Sequence, residues 1–218
     1  MSTTIHQHVF IPSAAASPRT LLMLHGTGGS EHDLLPLARM LDPDAAVLSP
    51  RGNVLERGMP RFFRRLAEGV FDFEDVARRA AELATWLDAA ISHYALNPAS
   101  LTAVGFSNGA NIAAAMLLLK PPAASPLRSA ILIRAMVPIE PTPTTQPSPP
   151  APVRTLILAG LRDPIVPAEN SRRLAAMLSA QRAEVTLKEL DSAHELTRED
   201  ITLAQAWLKA DPSPRTLA

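Results

Sequence analysis

Short apolar runs that alternate with amphipathic stretches predict an α/β fold: a mostly parallel sheet of about six or seven strands with helices on both faces. Three observations carry this expectation. The apolar runs are unbroken, as in strands buried on both faces. The stretches between them place apolar residues at helical spacing. The alternation continues on both sides of the one proline-rich interruption. A single α/β domain is therefore expected over residues 1–210, with 211–218 as a fraying tail and no separate lid domain.

Leu21-Leu22-Met23-Leu24 opens the series as a buried strand, and Ala45 to Leu48 is the next. Asp72 to Tyr94 reads as a helix. Val76, Leu83, Leu87 and Ile91 recur at helical spacing, and Asp72 and Asp75 stand where acidic groups favour a helix start. Leu101 to Phe106 is a strand that leads into an Ala/Leu/Met-rich helix over Asn108 to Leu119. Ala130 to Ile133 and Thr155 to Ala159 are strands flanking Val137 to Val153, which holds seven of the 21 prolines and no glycine. Proline at that density stiffens a loop and forbids helix. Strands of the same rhythm on both sides argue against a domain linker there. Ala168 to Ala180 and Glu199 to Lys209 complete the helices. Between them Val185-Thr186-Leu187 alternates with charged residues, as a strand near the sheet edge does.

Composition narrows the function. Lys+Arg and Asp+Glu both total 21, so the formal net charge is zero. Neither nucleic acid nor an anionic membrane surface is indicated. The absence of cysteine excludes disulfides, thiolate metal sites and cysteine nucleophiles. Met1 to His8 is polar, with no basic segment leading into an apolar one, and no apolar run approaches bilayer length. A cytoplasmic protein is expected.

Gly105-Phe106-Ser107-Asn108-Gly109 matches G-x-S-x-G, with a strand before it and a helix after it. That context is what a nucleophile elbow requires. The serine sits on a tight turn, and flanking glycines let strand and helix close in. Ser107 is thereby exposed at a helix N-terminus, where free N–H groups favour developing negative charge. A glycine-flanked serine that merely caps a helix is the alternative. Leu24-His25-Gly26-Thr27-Gly28-Gly29 follows the first strand. Acyl transfer needs preorganised donors for the oxyanion. The expected donors are the N–H groups of Asn108 and Thr27, with Gly28 second to Thr27. His25 is read as structural. The loop lacks the G-x-G-x-x-G and G-K-[ST] patterns of nucleotide binding.

Among the six histidines, His194 follows a strand, lies in Asp191-Ser192-Ala193-His194 and precedes the last helix. In the order Ser…Asp…His this is where a general base stands. His6, His8, His32 and His93 suggest no third metal ligand, and no metal site is expected. Asp163 follows the strand Thr155 to Ala159, and Pro164 keeps its backbone extended. It is the expected acid; Glu140 and Asp191 are rivals.

Taken together, these residues resemble the phospholipase/carboxylesterase family of small α/β-hydrolases. Within it the likeness is to bacterial hydrolases of the hydroquinone-resistance carboxylesterase group. It runs from about Leu21 to Leu208. Beyond the loop from Leu24 and the elbow, it rests on Ser49-Pro50-Arg51-Gly52, Gly58-Met59-Pro60-Arg61-Phe62-Phe63, Asp163-Pro164-Ile165-Val166-Pro167 and His194-Glu195-Leu196. The resemblance implies the α/β-hydrolase fold, ester hydrolysis without cofactor, and a homodimer.

A serine carboxylesterase acting on small carboxylic esters through an acyl-enzyme is the expected function. An acyl-protein or acyl-CoA thioesterase is a second reading, and a non-catalytic hydrolase-fold binding protein a third. Arg51 to Phe71 is expected as a loop or short helix beside the serine. Its Met59, Phe62, Phe63 and Phe71, with Gly28, Met136, Ile165, Val166 and Leu196, are the candidate pocket wall. Arg61, Arg64 and Arg65 lie in the same stretch.

Overall fold

The computed structural model describes residues 6–13, 19–67, 69–119, 127–140 and 152–210. Strand β1 (His8–Ile11) precedes β2 (Thr20–Leu24), helix α1 (Leu35–Leu41) and β3 (Ala46–Pro50). Two hairpins follow, β4 (Val54–Glu56) with β5 (Met59–Arg61), and β6 (Arg65–Ala67) with β7 (Val70–Phe71). The chain continues as α2 (Phe73–His93), β8 (Leu101–Phe106), α3 (Asn108–Leu119), β9 (Ser129–Ile133), β10 (Arg154–Gly160), α4 (Ala168–Ala180), β11 (Glu184–Leu190) and α5 (Arg198–Lys209).

Seven strands form one sheet in the order β1-β3-β2-β8-β9-β10-β11. All neighbours are parallel except β1, which runs antiparallel to β3. This is the α/β-hydrolase fold. Alternate side chains leave each strand on opposite faces. Leu22 and Leu24 of β2 join one core with α2, α3 and α4, through Leu83, Ile112 and Leu174 among others. Leu21 and Met23 join a second core with α1 and α5, through Leu37, Ala204 and Leu208. Both faces are therefore covered, which is why the central strands read as continuous apolar runs. Strand β11 at the edge keeps exposed charged positions.

The stretch Arg51 to Phe71 is not a loop or short helix; it is largely the two hairpins. Arg57 and Gly58, with φ of 52° and 82°, form the two-residue turn between Glu56 and Met59. Two successive positive φ values suit the twist of a tight hairpin. Helix α1 and strand β1 are further elements that the apolar patterning did not reveal. The segment 141–151 and the tail 211–218, expected as a stiff loop and a frayed end, lie outside the described residues.

Candidate active site

Register brings the loops to one edge of the sheet. Leu24 pairs with Gly105, Phe106 with Ile133, Ile133 with Leu158, and Gly160 with Leu190. The strands β2, β8, β9, β10 and β11 thus end side by side. The segments that follow β2, β8, β10 and β11 carry Thr27, Ser107, Asp163 and His194.

Ser107 occupies a left-handed backbone conformation, φ 51°, between β8 and α3. Its N–H donates to Ile133 O at 2.9 Å, and its carbonyl accepts from Asn111 N–H at 2.9 Å. The elbow's glycines are sterically required. A Cβ on Gly105 would meet Ala110 N at 2.5 Å, and one on Gly109 would meet Leu24 O at 1.9 Å. Only glycine at 109 lets the start of α3 press against the end of β2.

Ser107, His194 and Asp163 form one hydrogen-bonded chain. His194 Nε2 lies 2.9 Å from Ser107 Oγ, and His194 Nδ1 lies 2.7 Å from Asp163 Oδ2. Asp163 Oδ1 accepts the N–H groups of Ile165 (2.8 Å) and Val166 (2.9 Å), which orients the carboxylate. With an ionised Asp163, Nδ1–H donates to it and Nε2 is left to accept the serine proton. The rival acids sit elsewhere. Glu140 pairs with Arg173, and Asp191 pairs with Arg162 on the surface.

The backbone N–H groups of Thr27 and Asn108 have no partner among the described residues. Gly28 N–H is engaged, donating to Pro60 O at 2.9 Å. His25 is buried and braces this loop. Its Nε2 accepts Gly52 N–H at 3.0 Å, so Nδ1–H donates to Gly26 O at 2.6 Å. Burial holds its pKa below the ordinary value and keeps the ring neutral.

A cavity at Ser107 is lined by Thr27, Asn108, Phe71, Met136, Ile165 and Val166 from the expected set, and by Arg61, Arg65, Gly69 and Asn111. A groove past Gly69, Phe71 and Met136 continues it towards Ile139 and Asn170. Other expected wall residues do not line this cavity. Phe62 and Phe63 are buried in the core, Phe62 beside the His25 ring and Phe63 edge-on to Phe71. Gly28 and Met59 lie together at the exposed rim, and Leu196 packs towards α1 and α5. Phe62 N–H is tied to Asn108 Oδ1 at 2.8 Å, which fixes the backbone of this pair against the start of α3.

Some supporting residues escape sequence reasoning. Arg134, following β9, is 0% exposed. It donates to both carboxylate oxygens of Asp200 at 2.8 Å, to Ser192 Oγ and Ala193 O at 2.9 Å, and to Leu158 O at 3.1 Å. The loop that carries His194 is therefore tied to β10 and to the start of α5. A lone arginine inside the apolar run Ala130 to Met136 was the available signal. Asn108 Oδ1 accepts Phe62 N–H (2.8 Å), and Arg61 Nη1 donates to Thr27 Oγ1 (2.6 Å), so the first hairpin and its exit also brace the segments that carry Thr27 and Asn108.

Comparison with known proteins identifies the family. The family model described as serine hydrolase (FSH1) matches residues 71–199. The chain belongs to this serine hydrolase family. It is 42% identical over 203 residues to the hydrolase MhqD of Bacillus subtilis (strain 168), covering 93% of this chain and 98% of that relative. The crystal structure of the Bacillus cereus carboxylesterase superposes with a TM-score of 0.86 at 43% identity, covering 94% of both chains. The structure of YahD with malic acid gives a TM-score of 0.84 at 27% identity, covering 94% of this chain and 98% of that one. Among the described residues, no helix of this serine hydrolase is long and apolar enough to cross a membrane.

Proposed function

We infer that this serine hydrolase is a carboxylesterase that cleaves small carboxylic esters through an acyl-enzyme. The observation that carries the reading is the chain Ser107 Oγ–His194 Nε2–Asp163 at 2.9 and 2.7 Å, at a cavity that Thr27 and Asn108 also line. Ser107 Oγ attacks the ester carbonyl while His194 Nε2 takes its proton. The carbonyl oxygen, now an oxyanion, accepts the N–H groups of Thr27 and Asn108, backed by the positive end of α3. His194 then protonates the departing alkoxide. In the second half, His194 removes a proton from water, the hydroxide attacks the acyl carbonyl, and Ser107 leaves with the proton returned. Asp163 keeps the imidazole in the required tautomer and stabilises the imidazolium.

The carboxylesterase name of the Bacillus cereus relative supports the reaction class. The homodimer and the cytoplasmic location expected from sequence belong to the same reading. Ser107→Ala is expected to abolish p-nitrophenyl acetate hydrolysis and fluorophosphonate labelling while leaving the circular dichroism spectrum intact. Turnover at the parent rate in that variant would remove Ser107 from the mechanism.

A further inference from the structure

The wall of the Ser107 cavity has an uneven chemistry. Its charged residues are Arg61 and Arg65; no aspartate or glutamate lines it among the described residues. Arg61 is buried to 3% exposure. Its Nη1 donates to Thr27 Oγ1 and its Nε to Phe63 O, while Nη2 has no partner among the described residues. Behind the wall stand two carboxylates: Asp163, turned to His194 and to the N–H groups of Ile165 and Val166, and Glu56. Glu56 Oε1 accepts from Arg65 Nε at 2.8 Å, and its Oε2 lies 3.3 Å from Arg61 Nε without forming a hydrogen bond. Both guanidiniums line the cavity while the two carboxylates, turned to partners of their own, do not, so the wall itself presents positive charge. The neighbouring amides add to this asymmetry. Asn108 and Asn111 each use Oδ1 to accept a backbone N–H, from Phe62 and Met136, which leaves their NH2 groups. Asn108 Nδ2 is buried with no partner.

A buried, hydrogen-bond-fixed guanidinium with one amino group to spare suits an anionic oxygen. Its attraction for an anion exceeds that of a surface arginine, because little water screens it. We propose that this site selects small esters that carry a carboxylate, received by Arg61 and Arg65 while Ser107 attacks the ester carbonyl. The proposal rests on the esterase reading above and names its substrate class. With the carboxylate on the acyl side, water adds across the ester C–O bond and the products are a dicarboxylate, an alcohol and one proton. Arg61 also touches the oxyanion loop through Thr27, so its loss would slow every ester; only a ratio of charged to neutral substrate isolates anion recognition.

The test compares monoethyl succinate with its neutral isostere, ethyl succinamate, using p-nitrophenyl acetate as an independent report of esterase activity. In the parent protein kcat/KM is expected to favour the carboxylate roughly tenfold or more, as for a site that hydrogen-bonds a particular substrate group. In Arg61→Gln and Arg65→Gln the ratio, read within each variant, is expected to fall towards one. Arg65 lies on the second hairpin with a partly exposed side chain, so Arg65→Gln serves where Arg61→Gln does not fold. A parent ratio at or below one, with p-nitrophenyl acetate still turned over, overturns anion selection and leaves the esterase standing. A preference that survives in a folded variant at each position overturns the assignment to these arginines. A protein that turns over none of the three esters overturns the esterase reading and this proposal with it.

Discussion

Asp163 divides its two oxygens between tasks. Oδ1 accepts two backbone N–H groups and Oδ2 faces His194 Nδ1. In Asp163→Asn the amide oxygen must take the place of Oδ1, because only an acceptor satisfies those N–H groups. The NH2 then faces Nδ1, which has to become an acceptor, and the ring proton moves to Nε2. The base can no longer accept the serine proton. The expected loss in kcat is on the order of 10³–10⁴ with KM little changed. Steady-state kinetics on p-nitrophenyl acetate checks this, and a kcat close to the parent's would contradict it.

Two other histidines matter to stability through pH. Burial lowers the pKa of both His6 and His25 from the ordinary 6.5. Below that value the unfolded chain binds protons that these folded-state rings refuse. Their contribution is therefore complete above about pH 6.5 and is lost as pH falls through the lowered folded values. Urea midpoints should drop on acidification below about pH 6.5, and His25→Asn should flatten part of that slope. A parent midpoint that holds steady across this range would sink the idea.

Among the elements, α3 shows how packing serves the site. Ala110, Ala113, Ala114 and Ala115 are buried, and these small side chains let the helix lie close between the sheet and α2. Its N-terminus is thereby fixed beside β2. Both the helix and its elbow were readable in sequence, because a tight strand-to-helix turn demands glycines at set local spacing. The Arg134–Asp200 pair was not readable, since its partners are joined only by the fold. It anchors the segment between β11 and α5, and Asp200 also closes the capping box with Thr197 at the start of α5. Asp200→Asn leaves the Arg134 charge buried without its counter-charge. The expected cost is about 3–5 kcal/mol, or a Tm lower by roughly 10 °C. A paired Arg134→Met, Asp200→Leu variant should recover part of that Tm, because no buried charge remains uncompensated. Differential scanning calorimetry reads both, and a single variant as stable as the parent would show that the pair bears little weight.

At the scale of the whole molecule, the chain leaves β2 towards β3 on one side, then crosses to β8 on the other. The crevice at that reversal, between the ends of β2 and β8, is where open α/β sheets bind ligands. Thr27 and Asn108 flank it. Ser107, Asp163 and His194, the residues proposed for the chemistry, were legible as candidates because each stands just past a strand end with a recognisable local context. The hairpins over the cavity were not. Their turn at Arg57-Gly58 has a local signal, but which face of Phe62-Phe63 turns inward depends on pairing with distant chain.

The left-handed backbone at residue 107 sets stability against activity. A side chain at that φ crowds the following carbonyl, a burden that glycine escapes. The proposed nucleophile is thus held in place by the rest of the fold against its own local preference. Two inert proteins make this measurable. Ser107→Gly is expected to resist urea better than Ser107→Ala by about 1 kcal/mol, after allowing for glycine's greater freedom when unfolded. Evolution towards a tougher molecule would find an easy gain at this position, and it would end catalysis.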